Sequence, residues 1–120
     1  MALSSRYRGK VLVVTAHMTH IDAAVAIQFK DEIRAEIDDT AQHVILDLAE
    51  VDFIDSSGLG AIVASMKQLK GDKKLDLAGL TPTVAKVFQL TRMDAVFKIH
   101  KSVDADLIRN GALRQSSFLQ

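Results

Sequence analysis

The sequence predicts an α/β domain: a mixed, mostly parallel β-sheet of four to five strands with about four helices packed against it. Three observations point there. Runs of β-branched and apolar residues alternate along the chain with amphipathic runs of helical period. The connections between them are short, which suits parallel strands joined by right-handed crossovers. A hydrophobic content of 48 % in 120 residues is ample for one packed core.

From Lys10, "KVLVVTAH" is continuously apolar and β-branched, as expected of a strand covered on both faces, and the preceding "LSSRYR" reads as a weaker edge strand. In "AAVAIQFKDEIRAEI", Val25, Phe29, Ile33 and Ile37 recur at helical spacing with Asp31, Glu32, Arg34 and Glu36 turned outward. "HVILDLAEV" places Val44, Leu46 and Leu48 on one face of a strand. "DSSGLG" then leads into "LGAIVASMKQLK", a helix whose stripe is Leu59, Ile62, Met66 and Leu69 (or Val63). Gly71 ends that helix, and Leu75 and Leu77 alternate along the strand "KKLDLAGL".

Thr81 supplies an N-cap hydroxyl and Pro82 an N1 residue that needs no amide hydrogen, so a helix opens there with Val84, Val87, Phe88 and Thr91 as its stripe. A short strand "AVFKIH", a helix from about Ser102 to Leu113 and a loose tail, "RQSSFLQ", complete the chain. The expectation is a single domain over residues 1–120, its core at about 10–109 and its tail at 114–120. Phe29, Phe53, Phe88 and Phe97 read as core, and Met18, Met66 and Met93 as adaptable fillers.

Fifteen basic and fifteen acidic side chains cancel, so no global field argues for nucleic acid or an anionic membrane surface. The absence of cysteine excludes a disulfide scaffold and thiolate metal or redox chemistry. "MALSSRYRGK" has too short an apolar run for a secretory signal, and no stretch approaches the ~20 apolar residues of a membrane span. A soluble cytoplasmic protein with no membrane and no direct nucleic-acid contact is expected. His17, His20 and Asp22 form a conceivable metal trio, but an isolated H-x-x-H on a loop lacks helical placement, and no metal site is expected. Lys67, Lys70, Lys73 and Lys74 cluster around the end of the motif helix and could meet an acidic partner surface, but the preferred reading is a solvated face beside Asp72.

Two hydroxyls, Ser56 and Ser57, stand at a strand-to-helix turn, where they could cap the helix, attack a substrate or be modified. Nucleotide binding fits poorly. A dinucleotide fingerprint starting at Gly58 would need Gly or Ala where Val63 stands, and no Gly-Lys-Ser/Thr tripeptide opens a helix. A serine hydrolase would need a base held against the hydroxyl, and Ile54 and Asp55 occupy the place where the first glycine of a nucleophile elbow would be. Capping by Asp55 or Ser56 explains one residue of the six, but not a second serine followed by Gly-Leu-Gly. Modification has favourable physics: a phosphate at a helix N-terminus meets free amides and the positive end of the dipole, while beside Asp55 it would repel a docked partner.

"VILDLAEVDFIDSSGLGAIVASMKQLK" resembles the central motif of STAS domains, specifically the anti-sigma factor antagonists of bacteria. "HIDAAVAIQFKDEIRAEI" is similar to the first helix of that family, and "LDLAGLTPTVAKVFQLTRMDAVFKIHKSVDADL" to its last elements. The resemblance covers roughly Lys10 to Arg109. It implies a non-enzymatic protein without cofactor, whose unphosphorylated form binds an anti-sigma factor that is also a serine kinase and so frees the sigma factor. Phosphorylation by that kinase breaks the complex, and a PP2C-type phosphatase resets it. ATP and magnesium belong to the kinase. The implied acceptor is Ser56, directly after Asp55, with Ser57 as secondary candidate. The implied partner-binding set is Asp22, Asp55, Ser56, Ser57, Gly58, Leu59 and Gly60, the glycines allowing close docking. The alternatives are a constitutive STAS scaffold or transport- or secretion-complex subunit without a phospho-switch, and a small serine hydrolase.

Overall fold

The computed structural model describes residues 2–69 and 71–103. Eleven elements follow one another: β1 (Leu3–Arg8), β2 (Val11–Ala16), β3 (His20–Ile21), α1 (Ala26–Glu36), β4 (His43–Asp47), β5 (Phe53–Ile54), α2 (Ser56–Lys67), β6 (Lys74–Ala78), α3 (Pro82–Leu90), a 3₁₀ turn (Met93–Ala95) and β7 (Ile99–His100). The main sheet has the order β1-β2-β4-β6-β7, and β3 pairs with β5 in a separate two-stranded ribbon. Only β1 runs antiparallel to its neighbour; β2, β4, β6 and β7 are parallel. The expected mixed, mostly parallel α/β sheet is therefore present. Three α-helices are described rather than four, and the expected last helix, from about Ser102 to Leu113, lies largely outside the described residues, as do Lys70 and the tail at 114–120.

The strand period divides the sheet's side chains between two faces. Leu12, Val14, Val44, Leu46, Leu75 and Leu77 join Phe29, Ile33, Ile62 and Phe88 of the helices in the principal core. Val13, Ile45 and Ala78 point to the other face and pack with Val103. Burial on both faces is why "VLVVT" carries no polar alternation.

The expected strand "AVFKIH" is strand only at Ile99 and His100, after the 3₁₀ turn, and Thr91, expected on the stripe of α3, is exposed. Local chemistry departs from expectation at four further places. Thr81 flanks α3, with Pro82 at its first position, but its hydroxyl donates to Val51 O at 2.8 Å instead of capping the helix. Glu32, expected to face outward, is buried: Gln28 Nε2 donates to its Oε2, while Oε1 has no partner among the described residues. Phe53 is 43 % exposed, because in the two-residue β5 its neighbour Ile54 takes the inward direction. Gly71 does not end α2, which is capped by Gln68; its φ of 69° serves the following turn.

Candidate functional site

The "DSSGLG" segment lies where β5 becomes α2. Asp55 is extended (φ −106°, ψ −175°) and is the N-cap residue, its Oδ1 accepting from Gly58 N at 2.9 Å. Its Oδ2 accepts from Ala23 N at 3.1 Å, in the turn before α1. Asp55 N donates to Ile21 O, while Asp22 Oδ1 accepts from Ala24 N and Asp22 O from Val25 N. The two acidic residues thus organise one corner where the turn before α1 meets the start of α2. Both are half-buried. Capping belongs to Asp55, which leaves both serine hydroxyls to other purposes.

Ser56 and Ser57 are the first two residues of α2, and both are exposed. Their amides fall among those that no intrahelical acceptor can satisfy. Gly58 and Leu59 turn inward. A Cβ built on Gly58 would stand 1.9 Å from Ile21 O, so this glycine is demanded by the fold's own β3–α2 contact rather than by an external partner. Leu59 packs against the principal core. Gly60 is open, with nothing within 4 Å of an added Cβ. It lines a shallow groove of about 190 Å³ between α1 and α2 together with Ala26, Ile27, Lys30, Ser57, Ala61 and Ala64. The anticipated set therefore splits: Ser56, Ser57 and Gly60 are on the surface, Asp22 and Asp55 hold the corner, and Gly58 and Leu59 support it from below.

Two exposed apolar side chains lie near this corner: Ile27, which the sequence pattern does not single out, and Phe53, expected in the core. Ile27, 74 % exposed, lies on the face of α1 away from Phe29 and Ile33 and borders the groove. Phe53 precedes the corner and packs its ring 5.6 Å from that of His20. An apolar residue off the helical stripe was the available signal for Ile27.

The suggested His17, His20 and Asp22 trio does not converge. His17 engages Ser4 Oγ and Glu50 Oε2 through its two ring nitrogens, His20 engages Thr19 Oγ1, and Asp22 caps its own turn. His43 engages Asp76, so these three imidazoles serve sites other than the serines. Burial alone would raise the pKa of Asp76, but hydrogen bonds and positive charge from His43 and His100 outweigh it and hold the carboxyl below its ordinary value.

Among the described residues no helix is long and apolar enough to cross a membrane. An anti-sigma-B factor antagonist of Listeria monocytogenes is 32 % identical over 95 residues, 77 % of this chain and 81 % of that protein. The Bordetella bronchiseptica protein BtrV, provisionally named an anti-sigma factor antagonist, is 33 % identical over 86 residues, 71 % of this chain and 74 % of its own. A crystal structure of an anti-sigma factor antagonist from Mycobacterium paratuberculosis has the same fold, with a TM-score of 0.78 at 24 % identity over 88 % of this chain and 90 % of that one. The STAS domain profile matches residues 3–105, nearly the whole length, and on that ground the chain belongs to the STAS domain family.

Proposed function

We propose that this protein is a phosphorylation-controlled anti-sigma factor antagonist. Its unphosphorylated form binds an anti-sigma factor that is also a serine kinase, which releases the sigma factor; phosphate on Ser56 breaks that complex, and a PP2C-type phosphatase restores it. The observation that carries the reading is a pair of exposed hydroxyls opening α2 directly after an aspartate whose two oxygens are already committed to backbone amides. Curated relatives at 32–33 % identity bearing antagonist names support the partner class.

The chemistry follows from the corner. A kinase can reach Ser56 without unfolding the domain, since the hydroxyl makes no capping bond that phosphorylation would break. The added charge of about −1.5 to −2 sits at the positive end of α2, where the fold tolerates it. Asp55 cannot turn away to relieve the repulsion, because its carboxylate holds Ala23 and Gly58. A partner docking on Ser57, Gly60 and Ile27 therefore meets two fixed negative charges together with the bulk and hydration of the phosphate.

The test is site-mapping mass spectrometry after incubation with ATP, magnesium and the serine kinases encoded beside the gene. A single phosphate on Ser56, absent in Ser56→Ala, supports the switch. Phosphate on Ser57 alone would move the acceptor by one residue. No phosphate from any kinase that binds the protein would leave a constitutive scaffold.

A further inference from the structure

Three side chains that the antagonist reading does not use meet on the sheet face opposite α1, α2 and α3. His43 opens β4, Asp76 is the middle residue of β6 and His100 ends β7, three strands that are neighbours in the sheet. Register explains the meeting: Ile45 pairs with Asp76 and Ala78 with His100, so His43, two residues before Ile45, shares their face. Nε2 of His43 lies 2.7 Å and Nε2 of His100 2.9 Å from the same oxygen, Oδ2 of Asp76. The three ligand-capable atoms lie within 4.8 Å of one another, and among the described residues no other trio of His, Cys, Asp or Glu does so. Asp76 and His100 are 6 % and 5 % exposed, beside an apolar patch of Val13, Ile45, Ala78 and Val103, while the His43 side chain is 32 % exposed.

A buried carboxylate between two imidazoles is a poor way to stabilise a sheet face, since apolar side chains of similar volume do as well without the desolvation. As a donor set it has a clear use. Two imidazole nitrogens and one carboxylate oxygen suit divalent ions of the zinc class, and three protein ligands leave one coordination position open.

We propose that His43, Asp76 and His100 form a binding site for one divalent transition-metal ion, of which zinc is the representative. Each Nε2 gives up its hydrogen, to the other ring nitrogen or to solvent, and coordinates through the freed lone pair; no electron transfer is involved. Tetrahedral bonds of about 2.0–2.1 Å set ligand atoms about 3.3 Å apart, so the two N···O separations open by roughly half an ångström while the two imidazole nitrogens, within 4.8 Å of one another, settle to the same spacing by side-chain rotation. The half-exposed His43 side is where solvent or a further ligand reaches the fourth position. Bound there, the ion ties β4, β6 and the short β7 together.

The full chain, freed of metal by a chelator, is titrated with zinc by calorimetry and with cobalt(II) by visible absorption. One equivalent of each is expected to bind, with the intense bands of a four-coordinate cobalt site. Affinity should fall at least tenfold in His43→Ala and in Asp76→Asn, and stay unchanged in the His17→Ala/His20→Ala double variant. His43→Gln, which fills similar space, serves in place of His43→Ala if that variant does not fold. Absence of stoichiometric binding to the wild-type protein, wild-type affinity in the His43 and Asp76 variants, or loss of binding in the His17/His20 variant would each overturn the assignment.

Discussion

The carboxylate of Asp55 accepts the amide of Ala23 at 3.1 Å across the gap between two helices, while its other oxygen accepts Gly58 N. One side chain thereby sets both the entry to α2 and the turn before α1. Replacing it with alanine removes a cap and leaves Gly58 N, at a part-buried position, without its acceptor, while the exposed Ala23 N turns to water. Asp55→Ala should lose about 1–3 kcal/mol of stability in urea unfolding. A loss no larger than that of an ordinary surface substitution would show that the corner holds without it.

The two glycines of the motif should respond oppositely to alanine. Gly58→Ala drives a methyl into the Ile21 carbonyl, a backbone atom that cannot swing aside, and should cost about 1–3 kcal/mol. Gly60→Ala meets nothing within 4 Å and lies inside α2, so it should stabilise by about 0.5–1 kcal/mol. Comparing the two melting curves tests the division between a glycine required by the fold and one left open to a partner.

Acid sensitivity should be traceable to Asp38, in the loop that follows α1. Its carboxylate accepts from the Thr40 hydroxyl, the Tyr7 hydroxyl and the amides of Thr40 and Ala41. The Thr40 hydroxyl, followed by that of Tyr7, holds its pKa below the ordinary 3.8. A depressed folded pKa means stability that is present above the ordinary carboxylate range and lost as pH falls through the folded value. Asp38→Asn should therefore be less stable than wild type at neutral pH, with the difference shrinking below about pH 4. An unchanged difference across that range would remove Asp38 from the acid response.

Ile27 offers a way to separate binding from folding. With 74 % of its surface exposed, Ile27→Asp should change stability by no more than about 0.5 kcal/mol. If the α1–α2 groove receives the partner, the same variant should weaken affinity for the kinase that phosphorylates the protein by at least about tenfold, since burying an unpaired carboxylate is costly. Calorimetric titration of the two variants Ile27→Asp and Ile27→Ala decides it. Equal affinity in both would place the partner elsewhere.

Much of this architecture was legible because it is periodic. Phe29 and Ile33 of α1, Ile62 of α2, and Val84 and Phe88 of α3 announce their buried faces, and the uniform apolarity of β2 announces a strand covered twice. What escaped has no period to display. The β3–β5 ribbon has two-residue strands, too short for alternation, so Phe53 passed for core. The Thr81 hydroxyl was assigned by local rule to its own helix, while a carbonyl 30 residues away takes it. His43 and His100 lie 33 and 24 residues from Asp76, and only the register of three strands reveals them as neighbours. At the candidate site, residue types marked the corner, but which residue capped, which glycine was structural and which serine faced the groove depended on the turn before α1.

The edges of the main sheet are both poor templates. β1 presents Arg6 and Arg8 along a mostly exposed strand, and β7 is only two residues long. Charged or abbreviated margins discourage a second chain from adding itself as another strand. The molecule is thus steered away from β-augmentation and from fibrillar stacking with its own copies.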